Sequence, residues 1–156
     1  MNPRVGLGFD VHPFSDDSAR PLVLGGVELP GRGLAGHSDA DAVAHAVTDA
    51  LLGAAAMGDI GSHFPDTDPA YEGADSMELL ARAVLTVSTR YEIGNVDVTV
   101  VIEAPKLAPH RDAMQDRLTE VVGAPVSVKA KRAESLGAIG RSEGIACFAV
   151  AILMPR

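Results

Sequence analysis

The stretch Val5-Gly6-Leu7-Gly8-Phe9-Asp10-Val11-His12 decides the fold, because it predicts a first β-strand, Arg4 to His12, that ends on two metal-ligating residue types. Side chains alternate between the two faces of a strand, so Asp10 and His12 share one face. The sequence therefore predicts a pair of candidate metal ligands at the end of the opening strand.

A helix of small residues, predicted over residues 39–56, offers a third ligand. Its apolar stripe has the spacing of a buried helix face and consists of Val43, Ala46, Val47, Ala50, Leu51 and Ala54. His45 lies roughly 200° around the helix from Val43, off this stripe, and is free to meet Asp10 and His12. Two imidazoles and one carboxylate suit a zinc ion with an open fourth position, as in catalytic zinc sites.

Simpler interpretations of these residues exist. A surface histidine or a solvated aspartate is the commoner explanation of either half of the pattern, since short motifs recur by chance. Asp39 and Asp41 could compete as ligands. Both could equally cap the helix, because aspartate is favoured before the first turn.

The composition predicts one globular domain, residues 1–156, with 47% hydrophobic and 22% charged residues. A net charge of −8 and a pI near 4.9 disfavour a nucleic-acid partner. The one cysteine, Cys147, lies in the apolar run Ile145 to Met154, which predicts a buried side chain rather than a nucleophile. That run is too short to span a bilayer, and no signal-like segment opens the chain, so we expect a cytoplasmic protein without membrane contacts.

Strands and helices alternate along the chain. After the first strand and the helix, the pattern predicts a hairpin or bulged ribbon at Leu22 to Leu29, broken by Gly25-Gly26, a helix opened by a capping box of Asp75 and Glu78, a strand from Val96 to Ile102, a helix from His110 to Val122, a strand from Val126 to Ala130 and a last strand from Ile145 to Leu153. This order predicts an α/β (α+β) sandwich: a mixed four-stranded sheet with helices on one face, a small N-terminal hairpin and a ferredoxin-like character. The last strand is apolar at nearly every position, so we expect both its faces to be buried, one of them in an oligomer.

Two polar segments have properties that phosphate chemistry would need. Residues 58–69 form a loop dense in turn-forming residues, which could bind a ligand or simply connect two elements. Lys129, Lys131, Arg132 and Arg141 are a basic cluster in an acidic chain, and they could form an anion site or a solvated strand face. Glu134 could hold a hard cation or pair with Arg132. Gly6-Leu7-Gly8 lacks the third glycine of a dinucleotide loop.

Taken in order, these residues resemble the 2-C-methyl-D-erythritol 2,4-cyclodiphosphate synthase family from Gly6 to Met154. The matching segments are Gly8 to His12, His37-Ser38-Asp39 through His45, Thr48 to Gly53, Gly58 to Gly61, Phe64 to Asp68, Gly94 to Asp97, Ala104 to Lys106 and Glu143 to Ala146. The resemblance implies a homotrimer with active sites between subunits. It also implies conversion of 4-diphosphocytidyl-2-C-methyl-D-erythritol 2-phosphate to the cyclic diphosphate with release of CMP, in the non-mevalonate isoprenoid pathway.

The resemblance assigns roles to particular residues. It implies Zn²⁺ on Asp10, His12 and His45, and Mg²⁺ or Mn²⁺ on Glu134, with His37 beside the reacting phosphates. The substrate contacts that it implies are Asp10, Val11, His12, His37, Ser38, Asp59, Ile60, Gly61, Phe64, Pro65, Asp66, Thr67, Asp68, Ala104, Pro105, Lys106, Leu107, Lys131, Arg132, Ala133, Glu134 and Arg141. Arg141 matches an arginine at the central axis of the trimer, where some members hold an isoprenoid diphosphate.

One segment departs from the family pattern. Where the family has Ala-Thr-Thr-x-Glu, this chain has Ala130-Lys131-Arg132-Ala133-Glu134, and alanine replaces the usual glycine at position 40. We expect Arg132 to take over the lost phosphate contact as a catalytic residue, because guanidinium binds phosphate strongly. Two alternatives remain: a non-catalytic trimeric metal-bound binder of nucleotide or isoprenoid diphosphate, and a metal-dependent phosphohydrolase.

Overall fold

The computed structural model describes residues 2–156, and a four-stranded sheet is its centre. Its strands are β1 (Arg4–Pro13), β4 (Tyr91–Val101), β5 (Val126–Lys131) and β6 (Gly144–Pro155), in the order β1-β6-β4-β5. β4 and β5 pair in parallel, whereas β6 is antiparallel to both β1 and β4, so the predicted mixed sheet is confirmed. β2 (Leu22–Leu24) and β3 (Val27–Leu29) form the predicted hairpin around Gly25-Gly26.

Three longer helices pack on one face of this sheet, and two short ones lie in loops. The longer helices are α1 (Ala42–Ala55), α3 (Ser76–Ser88) and α4 (Arg111–Val122), and the short ones are α2 (Ile60–His63) and α5 (Gly137–Gly140). The main elements therefore follow the order β-α-α-β-α-β-β. This is not the β-α-β-β-α-β order of a ferredoxin-like fold, so that part of the expectation is not supported.

α1 packs directly against β1 because two glycines leave room for it. A Cβ atom at Gly8 would overlap the carbonyl oxygen of Ala46, and one at Gly6 would overlap that of Ala50. Gly6 and Gly8 lie on the same face of β1 as Asp10 and His12, since the four alternate with exposed residues. The glycines thus bring α1 close at one end of the strand and place His45, next to Ala46, beside Asp10.

Asp41 joins the start of α1 to the hairpin. Its fully buried carboxylate accepts hydrogen bonds from the backbone N–H groups of Ala44 at 3.0 Å and of Gly25 and Gly26 at 2.8 Å each. Burial raises the pKa of Asp41 to about 6, against these three donors, which lower it. Asp41 is therefore the N-cap of α1, as the simpler interpretation predicted, and the helix begins at Ala42 rather than at residue 39.

The predicted capping box of Asp75 and Glu78 is wrong in one respect. The Asp75 carboxylate accepts from the N–H of Met77 at 2.8 Å, and the N–H of Glu78 donates to the backbone carbonyl of Asp75 instead. A complete capping box is found at α2, where Asp59 and Ser62 bind each other's backbone N–H groups. The loop at residues 58–69 therefore contains a short helix that the sequence pattern did not predict.

Within a single chain, only one face of the last strand is buried. Cys147, Ala149, Ala151 and Leu153 of β6 face the helices and are fully buried. Phe148, Val150 and Met154 point to the other face and are exposed, as are Val5, Leu7, Phe9 and Val11 of β1. Both faces of β6 carry apolar residues, so the alternation of buried and exposed positions is not visible in its sequence. We call the surface formed by these exposed residues of β1 and β6 the apolar sheet face.

Burial of Cys147 is confirmed, and burial raises the pKa of its thiol well above the ordinary value. Among residues 2–156, no helix combines the length and the apolar character that crossing a membrane requires.

Candidate metal centre

β1 and α1 bring together the three predicted zinc ligands. His12 Nε2 lies 2.7 Å from Asp10 Oδ2, His45 Nδ1 lies 3.2 Å from the same oxygen, and the two ring nitrogens are 3.3 Å apart. Within the described part of the chain, Asp10, His12 and His45 are the one group of three or more such residues close enough to share a metal ion. Asp39 and Asp41 are not part of it, because backbone and serine donors occupy their carboxylates.

The surroundings of His12 select the nitrogen that faces the metal centre. Its Nδ1 lies 2.8 Å from the carbonyl oxygen of Ala35, so this nitrogen carries the proton and donates it. When the ring is neutral, as metal binding requires, Nε2 is therefore the nitrogen with the lone pair, and it lies on the side of Asp10. A backbone acceptor of this kind is the usual outer partner of a metal-bound histidine.

Electrostatics keep the Asp10 carboxyl charged. Burial raises its pKa, but the hydrogen bonds and charges of His12 and His45 outweigh burial and hold the pKa below the ordinary value. Conversely, burial lowers the pKa of His12, and the hydrogen bond and charge of Asp10 outweigh it, so that this pKa is raised. Protons and a metal ion therefore compete for the same nitrogens.

The three ligands line a pocket of about 370 Å³. Its other lining residues are Gly36, His37, Ser38, Ile60, Gly61, Phe64, Asp66, Tyr71 and Leu79. Six of these residues were predicted as substrate contacts: His37, Ser38, Ile60, Gly61, Phe64 and Asp66. The ring of His37 lies 3.2 Å, through Nε2, from the carbonyl oxygen of Asp68.

Other predicted contacts do not line this pocket. The alternation of β1 places the Val11 side chain on the apolar sheet face, away from those of Asp10 and His12. Asp59 caps α2 through the N–H of Ser62, and this hydrogen bond lowers the pKa of Asp59. Pro65, Thr67 and Asp68 belong to the segment after α2, next to the lining residues Phe64 and Asp66.

A second pocket, of about 230 Å³, contains five of the predicted substrate contacts, which are Pro105, Lys106, Leu107, Lys131 and Arg132. It is lined by Ile102, Glu103, Pro105, Lys106, Leu107, Ala108, Arg111, Ala130, Lys131 and Arg132. Ala104, together with Pro105, lines a neighbouring apolar pocket that includes Phe14 and Ser142. The structure thus separates the predicted contacts of one chain into two groups, one at the metal centre and one at the ends of β4 and β5.

Acidic partners neutralise much of the basic cluster. Lys129 pairs with Asp97, Arg141 with Glu143 at 2.7 Å, and Arg132 with Glu103 at 3.2 Å. Glu134 is therefore not the partner of Arg132, contrary to one alternative. Lys129 and Lys131 point outward from β5, as the solvated-face interpretation predicted, and the strand ends at Lys131, directly before Arg132.

Glu134 and Ala133 lie in the loop that follows β5. The N–H of Ala133 donates to the Glu103 carboxylate at 2.6 Å, and Glu134 adopts a left-handed φ of 52°. Both Glu134 and Arg141 are exposed.

The family model described as the YgbB family matches residues 3–154. The chain belongs to the YgbB family. Among curated relatives, the 2-C-methyl-D-erythritol 2,4-cyclodiphosphate synthase of Cupriavidus metallidurans is 56% identical, covering 100% of this chain and 96% of that protein. The enzyme of the same name from Trichlorobacter lovleyi is 51% identical, covering 98% and 99%.

Solved structures of YgbB-type proteins share this fold. The CDP complex of IspF from Plasmodium falciparum aligns with a TM-score of 0.86 and 34% identity, covering 99% of this chain and 97% of that one. The bifunctional IspDF from Campylobacter jejuni aligns with a TM-score of 0.94 and 42% identity, and this chain spans 43% of its length. The predicted family resemblance is confirmed.

Residues around these pockets that the sequence patterns did not predict include Tyr71, Leu79, Ser76 and Glu103. Tyr71 and Leu79 line the metal pocket beside Phe64, whose ring meets that of Tyr71 edge-on at 5.5 Å. Ser76 contacts a metal ligand, and Glu103 holds Arg132. Only the position of Ser76 at a helix start gave a local signal, and that signal pointed to capping.

Proposed function

We infer that this chain is a 2-C-methyl-D-erythritol 2,4-cyclodiphosphate synthase in isoprenoid biosynthesis. It converts 4-diphosphocytidyl-2-C-methyl-D-erythritol 2-phosphate to the cyclic diphosphate and CMP, which makes it a cyclising phosphorus–oxygen lyase. The observation that carries this inference is the cluster of Asp10, His12 and His45 in the wall of a pocket, in a YgbB chain whose near-full-length relatives bear the synthase name. Those relatives do not favour a non-catalytic binder.

The donor set fits a zinc ion. Two imidazole nitrogens and one carboxylate oxygen lie within 4.8 Å of one another, which leaves one position of a tetrahedral site for substrate. When bound, zinc supplies Lewis-acid polarisation of a phosphoryl oxygen and screens charge. The remaining work is positioning and electrostatic stabilisation by the residues of the chain.

The reaction needs no protein nucleophile. An oxygen of the 2-phosphate forms a bond to the β-phosphorus of the same molecule, while the bond from that phosphorus to the bridging oxygen breaks and CMP leaves with its electron pair. His37, at the pocket wall, stabilises the reacting phosphates. Ile60, Gly61, Phe64 and Asp66 enclose the methylerythritol part and exclude water.

The cytidine end of the substrate binds in the pocket of about 230 Å³, which we call the basic pocket. Lys106, Arg111, Lys131 and Arg132 line it with one acidic residue, Glu103, in a chain of net charge −8. Glu134 would hold Mg²⁺ or Mn²⁺ near the phosphates, because carboxylate oxygen is the donor these cations prefer. We propose that the metal pocket of one subunit meets the basic pocket of the next in a homotrimer, and that Arg141 contacts an isoprenoid diphosphate near its axis.

The experiment is phosphorus NMR of the purified chain with the diphosphocytidyl substrate, Zn²⁺ and Mg²⁺. We expect cyclic diphosphate and CMP from the wild type and from neither metal-free protein nor His45→Ala, since the variant lacks one of three ligands. An open-chain product would indicate a phosphohydrolase instead. A folded, zinc-loaded wild type that releases no CMP would overturn the proposal.

A further inference from the structure

His45 presents its two ring nitrogens to different surroundings. Nδ1 lies 3.2 Å from Asp10 Oδ2, on the side of the metal centre. Nε2 lies 2.8 Å from the hydroxyl oxygen of Ser76 and 3.2 Å from that of Ser38. A neutral imidazole that coordinates a metal through Nδ1 carries its proton on Nε2. Metal binding at this site therefore calls for a hydrogen-bond acceptor at Nε2.

Asp39 decides the direction of the hydrogen bonds around Ser76. The hydroxyl of Ser76 donates to Oδ1 of Asp39, because an ionised carboxylate can only accept. A hydroxyl has a single proton, so its oxygen then accepts the Nε2–H of His45. The three residues form one relay, from His45 through Ser76 to Asp39, in which every donor has an acceptor.

The outer two members of this His45–Ser76–Asp39 relay are fixed independently of His45. The N–H of Ser76 donates to Asp39 Oδ2 and the N–H of Asp41 donates to Asp39 Oδ1, both at 3.1 Å. Ser76 is fully buried as the first residue of α3, whereas Asp39 lies just before α1. The start of α3 is thereby tied to a candidate ligand on α1.

Ser38 is a weaker candidate for the acceptor of the Nε2 proton of His45. Its hydroxyl lies 3.3 Å from that of Ser76 and accepts the N–H of Ala40 at 3.3 Å, so it reaches the Asp39 carboxylate only through Ser76. The short, directed contact of His45 is the one with Ser76.

We propose that Ser76 and Asp39 are positioning residues for the metal centre, which hold His45 with Nε2 protonated and Nδ1 free to coordinate. The inference rests on the metal-binding part of the proposed function and not on turnover. Removing the outer partner of a metal-bound histidine weakens metal binding by about 10–100-fold. The relay therefore sets both the affinity of the site and the nitrogen through which His45 binds.

The test measures the zinc affinity of the full chain by competition with a chromogenic chelator. Ser76→Ala removes the hydroxyl without adding bulk, and we expect zinc to bind roughly tenfold or more weakly. Ser76→Thr keeps the hydroxyl and should recover most of that affinity. In proton NMR of the zinc-loaded wild type, the Nε2 proton of His45 should exchange slowly with water, and Ser76→Ala should lose that signal.

Asp75→Ala is the matched control, because it removes the N-cap bond to Met77 at the same helix start without touching His45. Wild-type zinc affinity in Ser76→Ala, or an equal loss in Asp75→Ala, would overturn the proposal. If Ser76→Ala does not fold, Asp39→Asn tests the same relay. Its amide can donate to Ser76 and reverse the polarity, so undiminished zinc affinity there would also overturn the proposal.

Phosphorus NMR of the same wild-type sample separates this inference from the proposed function. If zinc affinity follows the expected pattern while no cyclic product forms, the inference stands and the proposed function fails. A wild type that binds no zinc overturns the inference, whatever its turnover.

Discussion

Arg132 lies at the rim of the basic pocket with its guanidinium already paired. Its Nη2 atom is 3.2 Å from Oε2 of Glu103, and the Glu103 side chain is only 8% exposed, whereas that of Arg132 is 66% exposed. Glu103 also accepts the N–H of Ala133, so the carboxylate is fixed and the guanidinium is oriented by it. We expect an arginine held this way to offer its remaining N–H donors to a phosphate of the substrate.

We expect Arg132→Ala to lower kcat/KM by about tenfold, because it removes one charge-assisted hydrogen bond to the substrate. Steady-state CMP release measures this. Arg132→Thr restores the residue that the family has at this position. Activity of this variant at or above that of the wild type would indicate that a threonine hydroxyl serves the phosphate contact as well as the guanidinium does. An unchanged kcat/KM in Arg132→Ala would show that the guanidinium takes no part in turnover.

The three metal ligands could be predicted from sequence because each depends on a local period. Strand alternation places Asp10 and His12 on one face, and helix periodicity takes His45 off the buried stripe. The pairing of Arg132 with Glu103 and the contact of Ser76 with His45 depend on the packing of elements distant in sequence. No spacing within the chain encodes those contacts, so sequence reasoning could not find them.

At the scale of elements, the contact of β1 with α1 positions the metal centre. The helix can approach only because Gly6 and Gly8 have no side chains. The glycine pair lacks the third glycine of a nucleotide loop, and its packing role has no signature in the sequence. The short helix α2 also escaped prediction, because four residues are too few to show a period and its N3 residue, Ser62, differs from the usual glutamate.

Gly8→Ala should force α1 away from β1 and lower the free energy of unfolding by on the order of 2 kcal/mol, with weaker zinc binding. Urea denaturation and chelator competition measure the two effects. Gly53→Ala is the control on the same helix, since a Cβ there meets nothing within 4 Å. It should leave stability unchanged or raise it by up to about 1 kcal/mol. Equal stability of the two variants would contradict the packing argument.

At the scale of the whole molecule, a single chain leaves the apolar sheet face uncovered. The register pairs Leu7 with Val150 and Phe9 with Phe148, whose rings are 5.1 Å apart. Leu7 is 66% exposed and Val150 44%. Contiguous apolar surface of this kind marks an association site, which agrees with the proposed homotrimer.

Analytical ultracentrifugation should therefore give the wild type a mass three times the 16.1 kDa of one chain. Leu7→Lys places a charge in the apolar sheet face and should yield monomers that still bind zinc but turn over no substrate. Leu85→Lys is the control, because Leu85 is 72% exposed but lies on α3, away from that face. Monomeric wild type would contradict the homotrimer, and trimeric Leu7→Lys would contradict assembly through the apolar sheet face.

Because side chains alternate along β1, the two faces of this strand have separate functions. Its even-numbered positions from Gly6 to His12 serve the helix contact and the metal centre, and its odd-numbered positions from Val5 to Val11 form the apolar sheet face. A substitution on one face alters the function of that face and leaves the function of the other face intact. Deletion of a single residue from the middle of the strand would turn every side chain on one side of the deletion to the opposite face of the sheet. Such a deletion would therefore disturb both the metal centre and the apolar sheet face.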